Sequence, residues 1–352
     1  MSKPVAVLLG LGLALLGAQL ALWLNMPLPW LLGPLILTAV TRMSGLQSRC
    51  LPEVNKFGRW VIGLSLGLYF SPEVVAHLAR HWPLILFGMS YAMLLAAIGC
   101  WVYHRFGGLD LRTAWFAAAI GSASEIANMA ERNGARVDQV ASAHSMRVLL
   151  IVMTVPFAFQ WWVGDLQPRP TGRDVSLSGL AMLVPASLAV VWLFQRFRAP
   201  NAWMLGALFC AMTLGVMGVR LTAMPEWLSA AGQLAIGWSL GDKYRPDFLR
   251  SAPRLLSVVS LLSVVFISVS ALIGWGLAML TGLPPATLIL SLTPGGIAEM
   301  TITAKVLGLG VPLVTAMQVM RMLAVVFGTE WLYRRFIRPR ERQVICPSGN
   351  TH

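Results

Sequence analysis

The sequence predicts an all-α integral membrane protein built as an inverted internal repeat. Each half is expected to contribute five of about ten transmembrane helices, plus one broken or re-entrant segment. Three observations lead there. Hydrophobic residues make up 57% of the 352-residue chain and charged residues only 12%, with a mean hydropathy of +0.70; soluble domains carry about a quarter charged residues. Residues 58–152 laid on 232–326 at a constant offset of 174 give 23 identities in 95 positions without a gap. Finally, one apolar segment in each half is interrupted by small residues and then carries a glutamate, as in SLTPGGIAEMTITAK at 291–305.

The segments follow in order. Val5 to Leu24 comes after a single lysine, Lys3, lacks a small-x-small cleavage site and runs into a second apolar stretch, so it reads as a retained first span. In the first half the apolar segments are 5–24, 27–41, 55–70, 83–103, 112–134 (broken) and 138–162. In the second they are 177–194, 200–219, 226–241, 255–280, 286–309 (broken) and 312–333. The expected layout is a first membrane repeat at 1–165, an inter-repeat loop at 166–176, a second repeat at 177–333 and a basic tail at 334–352.

The matches between halves go beyond apolarity. GRWVIGLSLG faces GQLAIGWSLG, Trp101 faces Trp275, Gly121 faces Gly295, Glu125 faces Glu299, Gly134 faces Gly308, and Met146-Arg147 faces Met320-Arg321.

Charge decides how the halves are oriented. If all six segments of a half crossed, Arg196 and Arg198, the 243–254 cluster and the C-terminal arginines would not share a side. If the broken fifth segment enters and returns, each half crosses five times and the halves are inverted. Then 20 of the 27 Lys and Arg fall on one side, which the excess of cytoplasmic basic charge marks as inside, together with both termini. Making the glycine-rich third segments re-entrant gathers fewer. Several of these spans fall short of the roughly 20 residues that a bilayer needs, so either their boundaries extend or the membrane thins.

A net charge of +13 would suit nucleic acid, but it is scattered over short loops, so no direct nucleic-acid partner is expected. Cys100 and Cys210 lie in apolar runs, Cys50 in a loop and Cys346 in the tail, which is no disulfide framework. His77 and His81 have a metal-compatible spacing without a third ligand nearby. With no nucleophile beside a base, no phosphate loop and no metal set, neither an enzyme nor a cofactor is expected. The expected partners are the lipid bilayer and a small solute or ion, with a homodimer left open.

The broken segments are the candidate site. Irregular backbone is tolerated at membrane depth only where protein or a hydrated cavity satisfies it, and inverted-repeat transporters bind solutes at such breaks. Gly121, Ser122, Pro294, Gly295 and Gly296 supply the broken backbone. Glu125 and Glu299 follow the breaks, and Arg147 and Arg321 sit in the next helices, suggesting pairs of Glu125 with Arg147 and Glu299 with Arg321, or their exchange. His144 shares a helical face with Arg147, and Gln318 is its repeat counterpart. Asn128 and Thr293 complete the candidate solute or ion ligands. The structural alternative stays open: Ser122-Ala-Ser-Glu125 has the form of a capping box, and Gly296 stands in the same relation to Glu299.

In GSASEIANMAERNGARVDQVASAHSMRVLLIV and TPGGIAEMTITAKVLGLGVPLVTAMQVMRML, the chain resembles the AbrB-type bacterial membrane proteins, the AbrB duplication family. The resemblance covers nearly the whole chain. It implies a multi-pass protein of the bacterial inner membrane. The family also carries the labels ammonia monooxygenase and regulator of gene expression. The sequence lacks the metal ligands that the first would require and any DNA-binding module that the second would use directly, so a regulatory effect is expected to be indirect.

Overall fold

The computed structural model describes residues 3–164, 175–219, 222–244, 246, 248 and 252–337. The expected inter-repeat loop as far as residue 174, and the tail beyond 337, lie outside them. Among the described residues every regular element is helical. The first half comprises α1 (Lys3–Trp23), α2 (Pro29–Met43), α3 (Pro52–Gly67), α4 (Pro72–Arg80), α5 (Trp82–Arg105), α6 (Leu111–Ala118), α7 (Ala123–Arg132) and α8 (Val137–Val163). The second comprises α9 (Leu177–Arg196), α10 (Ala202–Val216), α11 (Glu226–Gly241), α12 (Pro253–Thr281), α13 (Pro285–Leu292), α14 (Ile297–Val306) and α15 (Val311–Leu332), which continues into a π-helical turn, Tyr333–Ile337.

The sequence repeat is also a repeat of elements. Helices α3, α6, α7 and α8 begin at Pro52, Leu111, Ala123 and Val137, and α11, α13, α14 and α15 begin 174 residues later in each case. Contacts between halves are exchanged in the same way: α2 packs on α11 as α10 packs on α3, and α5 packs on α15 as α12 packs on α8.

Two helices meet their own counterparts, and both pairs run antiparallel. Asn55 at the start of α3 donates to Ser239 near the end of α11 (2.7 Å), while Lys305 bridges Ser65 and Ser229 at the opposite ends (2.7 and 2.8 Å). In the other pair, the Tyr91 and Ser270 hydroxyls of α5 and α12 lie 2.9 Å apart, and Arg254 at the start of α12 donates to the Phe106 carbonyl just past the end of α5 (2.7 Å).

Six helices among the described residues are long and apolar enough to cross a membrane: α1, α5, α8, α9, α12 and the α15 continuation. Leu8, Leu177, Leu272 and Leu280 are exposed on α1, α9 and α12, as befits a lipid-facing surface. The four shorter helices α2, α3, α10 and α11 have 15 or 16 residues, roughly 23 Å at 1.5 Å per residue. They pack backbone to backbone. A Cβ on Gly63 would strike the Met204 carbonyl and one on Gly237 the Leu31 carbonyl, so the IGLSLG and IGWSLG motifs serve close helix approach. Helix α4 turns away from α3 by 86°, its start capped by Ser71, which accepts from the Val74 N–H (3.3 Å).

The broken fifth segments form helical hairpins. Thr113 at the start of α6 accepts from the N–H of Arg136, just beyond α7 (3.1 Å), and its counterpart Thr287 accepts from Gly310 (3.1 Å). Entry and exit of each segment therefore lie side by side, with the break at the tip. Gly134 and Gly308 close α7 and α14 at φ +70° and +61°, a left-handed geometry that glycine adopts without a Cβ penalty.

Candidate functional site

At each hairpin tip the first half-helix ends on carbonyls that the helix cannot satisfy. The next long helix supplies the donors. Arg147 donates to the carbonyls of Ala117 (3.4 Å), Ala118 (3.3 Å) and Ala119 (2.9 Å) and to His144 Nδ1 (2.9 Å). That leaves the imidazole proton on Nε2, which donates to the Phe116 carbonyl (3.3 Å).

The second tip repeats the arrangement. Gln318 donates to the carbonyls of Leu290, Ser291 and Thr293 (3.1, 3.3 and 3.3 Å), and Arg321 to those of Thr293 (2.7 Å) and Gly295. A buried guanidinium thus sits at the negative end of a helix dipole, with charge-assisted hydrogen bonds to main-chain oxygens.

Among the described residues neither arginine comes within ion-pair distance of Glu125 or Glu299, because both donate to helix ends, although Arg321 and Glu299 lie within each other's field. Glu299 is 7% exposed; its carboxylate folds back over Gly296 and accepts its own backbone N–H, one of the free amides at the start of α14. The capping box proposed at the other tip differs: Ser122 stands at the N-cap of α7 without a side-chain cap bond. Glu125 is only half buried.

Glu125 instead faces a cavity of about 1520 Å³, lined also by Asn55, Lys56, Arg59, Asn128, Arg132, Arg198, Asn201, Ser239, Lys243, Glu330 and Arg334. The lining carries six basic residues and two acidic ones; Arg334 pairs with Glu330 at 2.7 Å, and Lys56 lies 3.9 Å from Glu53 outside the lining. Arg59 donates to Asn201 Oδ1 (3.2 Å), and its charge reaches both Glu125 and Glu299; Lys243 reaches Glu299 and Arg59. A second cavity of about 910 Å³ opens at the opposite ends of α3 and α15, lined by Tyr69, Glu73, His77, Thr287 and Lys305 among others.

Loops that the charge argument placed on one side, those carrying Lys56, Arg132, Arg198, Lys243 and Arg334, all meet at the first cavity. His77 and His81 stack on each other at 4.5 Å, and His81 Nδ1 lies 2.9 Å from the His77 carbonyl.

Comparison with known proteins matches residues 30–337 to the family described as "Transition state regulatory protein AbrB". The chain belongs to the AbrB family. Within that family it is 27% identical over 337 residues to "Uncharacterized protein YhjN" of Bacillus subtilis (strain 168), covering 87% of this chain and 86% of the relative. It is 25% identical over 305 residues to "Putative regulator AbrB" of Escherichia coli (strain K12), covering 86% and 88%.

In this AbrB-family chain the candidate residues fall into two groups. Glu125 and Asn128 line the large cavity. His144, Arg147, Gln318 and Arg321 hold the hairpin tips from behind, donating to carbonyls that include that of Thr293, around the broken backbone at Gly121, Ser122, Pro294, Gly295 and Gly296, with Glu299 buried beside the second tip. Arg59 and Lys243 were missed as site residues. Arg59 had a legible signal: it is a charge inside the glycine-rich apolar run, and its repeat counterpart is neutral Gln233. Lys243 had none, standing one residue beyond Asp242 in what reads as a basic loop.

Proposed function

We propose that this AbrB-family protein is a secondary transporter of the bacterial inner membrane, with no covalent chemistry of its own. It moves a small solute or ion past the two hairpin tips. In this reading it has ten spans, the six long helices plus α2, α3, α10 and α11, with α6–α7 and α13–α14 as re-entrant hairpins. The halves are inverted, which the antiparallel α3/α11 and α5/α12 pairs support. Both termini are cytoplasmic, so the larger cavity opens inward. The observation that carries the reading is the pair of broken hairpins beside a polar cavity that reaches Glu125. Flux of candidate solutes in vesicles containing the wild type or Glu299→Gln tests it. Loss of flux in the variant is expected; unchanged flux for every solute that the wild type moves would refute a role for the tip.

The printed name of the Escherichia coli relative favours a second reading, a membrane-bound regulator that acts indirectly through a cytoplasmic partner. Removing residues 338–352 separates the two. A transporter keeps its flux without them, whereas a regulator that docks through the tail loses its effect.

A further inference from the structure

The larger cavity has a chemical bias that the glutamates alone do not suggest. We propose that it binds a small organic anion, with Arg59 and Lys243 as the charged ligands at its inner end and Asn55, Asn128 and Asn201 as neutral hydrogen-bonding groups. This deepens the transport reading and rests on it for its biological meaning, although binding is measured separately.

Arg59 and Lys243 come from different elements, yet each lies within the field of the other, a like-charge approach that a bound anion relieves. Among the described residues no carboxylate reaches ion-pair distance of either, and Arg59 donates to the neutral Asn201 amide oxygen. Lys56, Arg132 and Arg198 nearer the opening extend the positive potential outward. The planar guanidinium of Arg59 suits a carboxylate or phosphate fork, and Lys243 adds a point charge. At about 1520 Å³ the space exceeds what an inorganic ion needs and is ample for an organic solute.

The repeat gives an internal control. Arg59, Asn128 and Lys243 correspond to Gln233, Ile302 and Tyr69, so the repeat-related positions are neutral, while the charges of Arg59 and Lys243 both reach Glu299. The ammonium of Lys305 bonds Ser65 and Ser229, the counterparts of Ser239 and Asn55. The cavity that can accept a solute is the one that carries Arg59 and Lys243, one from each half.

The test uses full-length protein in which the four native cysteines are alanine and a single reporter cysteine is placed at Asn128 or, separately, at Gln195, both lining the cavity. Rates of modification by a negatively and a positively charged methanethiosulfonate are compared, each normalised to its rate with a free thiol. The anionic reagent is expected to react about ten-fold faster, within the range produced by charged clefts, and Arg59→Gln with Lys243→Gln is expected to abolish the preference. Sodium succinate or benzoate is expected to slow modification at matched ionic strength, and choline chloride is not. A preference for the cationic reagent, a preference that survives the double substitution, or protection by choline or by inorganic phosphate alone would each overturn the proposal. Anion protection without flux would leave it standing and sink the transport reading; flux with a cation-preferring cavity would do the reverse.

Discussion

Replacing Arg321 with leucine tests whether the intramembrane arginines hold helix ends or carboxylates. The guanidinium donates to the carbonyls of Thr293 and Gly295 at the tip of the second hairpin. Each is a charge-assisted bond worth roughly 1.5–3 kcal/mol, so the loss is about 3–6 kcal/mol. At about 2 °C per kcal/mol for a chain of this size, the melting temperature in detergent should fall by about 6–12 °C. Glu299→Gln alone should cost no more than about 1 kcal/mol, because the glutamine amide oxygen can still accept the backbone N–H. The decisive measurement is the double substitution. If Arg321 were the counter-ion of Glu299, leucine would strand a buried carboxylate, and adding Glu299→Gln would restore most of the lost stability. The carbonyl arrangement predicts no such recovery, so a double variant close to the wild type would refute it.

Other outcomes follow from the packing. Gly237→Val should abolish folded protein in detergent, because its Cβ would meet the Leu31 backbone; Gly12→Ala, with nothing within 4 Å, should leave size-exclusion profile and melting unchanged. Truncation before Arg334 removes the buried Ile337 and the pair with Glu330, and should cost about 1.5–3 kcal/mol, read as a lower melting temperature. Lys305→Met removes donors at 2.7 and 2.8 Å from Ser65 and Ser229. It should quicken modification of a cysteine at Ser65 by a small neutral thiol reagent, while an unchanged rate would show that Lys305 does not seal that position.

The membrane class, the duplication and the hairpin tips were legible because each leaves a mark on composition or spacing. A constant offset of 174 survives in helix starts, and Pro-Gly-Gly cannot continue a helix, so a break at Pro294–Gly296 within 286–309 was readable, and the half-helices stop at Leu292 and resume at Ile297. Partners were not legible. An apolar helix bearing one arginine says that the charge needs compensation, but backbone carbonyls offer that as well as carboxylates do, and no sequence pattern distinguishes a helix C-terminus from a glutamate. The 86° turn between α3 and α4 falls at residues 68–71, where the expected span 55–70 ends, but that the chain continues there as a separate short helix was not read from the sequence.

Duplication explains why the two tips look alike and the two cavities do not. The tip needs the same donors wherever a half-helix ends, so Arg147 and Arg321 are both retained, and His144 and Gln318 are exchanged only for another donor. The cavity walls face no such demand. Arg59 and Asn128 diverged to Gln233 and Ile302, Glu131 to Lys305, and the walls closed around one glutamate while staying open at the other. In the proposed transporter, a duplicated scaffold with one cationic cavity built from both halves would hold two equivalent backbone breaks while offering a single site to a solute. The glutamates are then best understood as groups that share the field of Arg59 with whatever anion enters, rather than as an isolated pair of ion ligands.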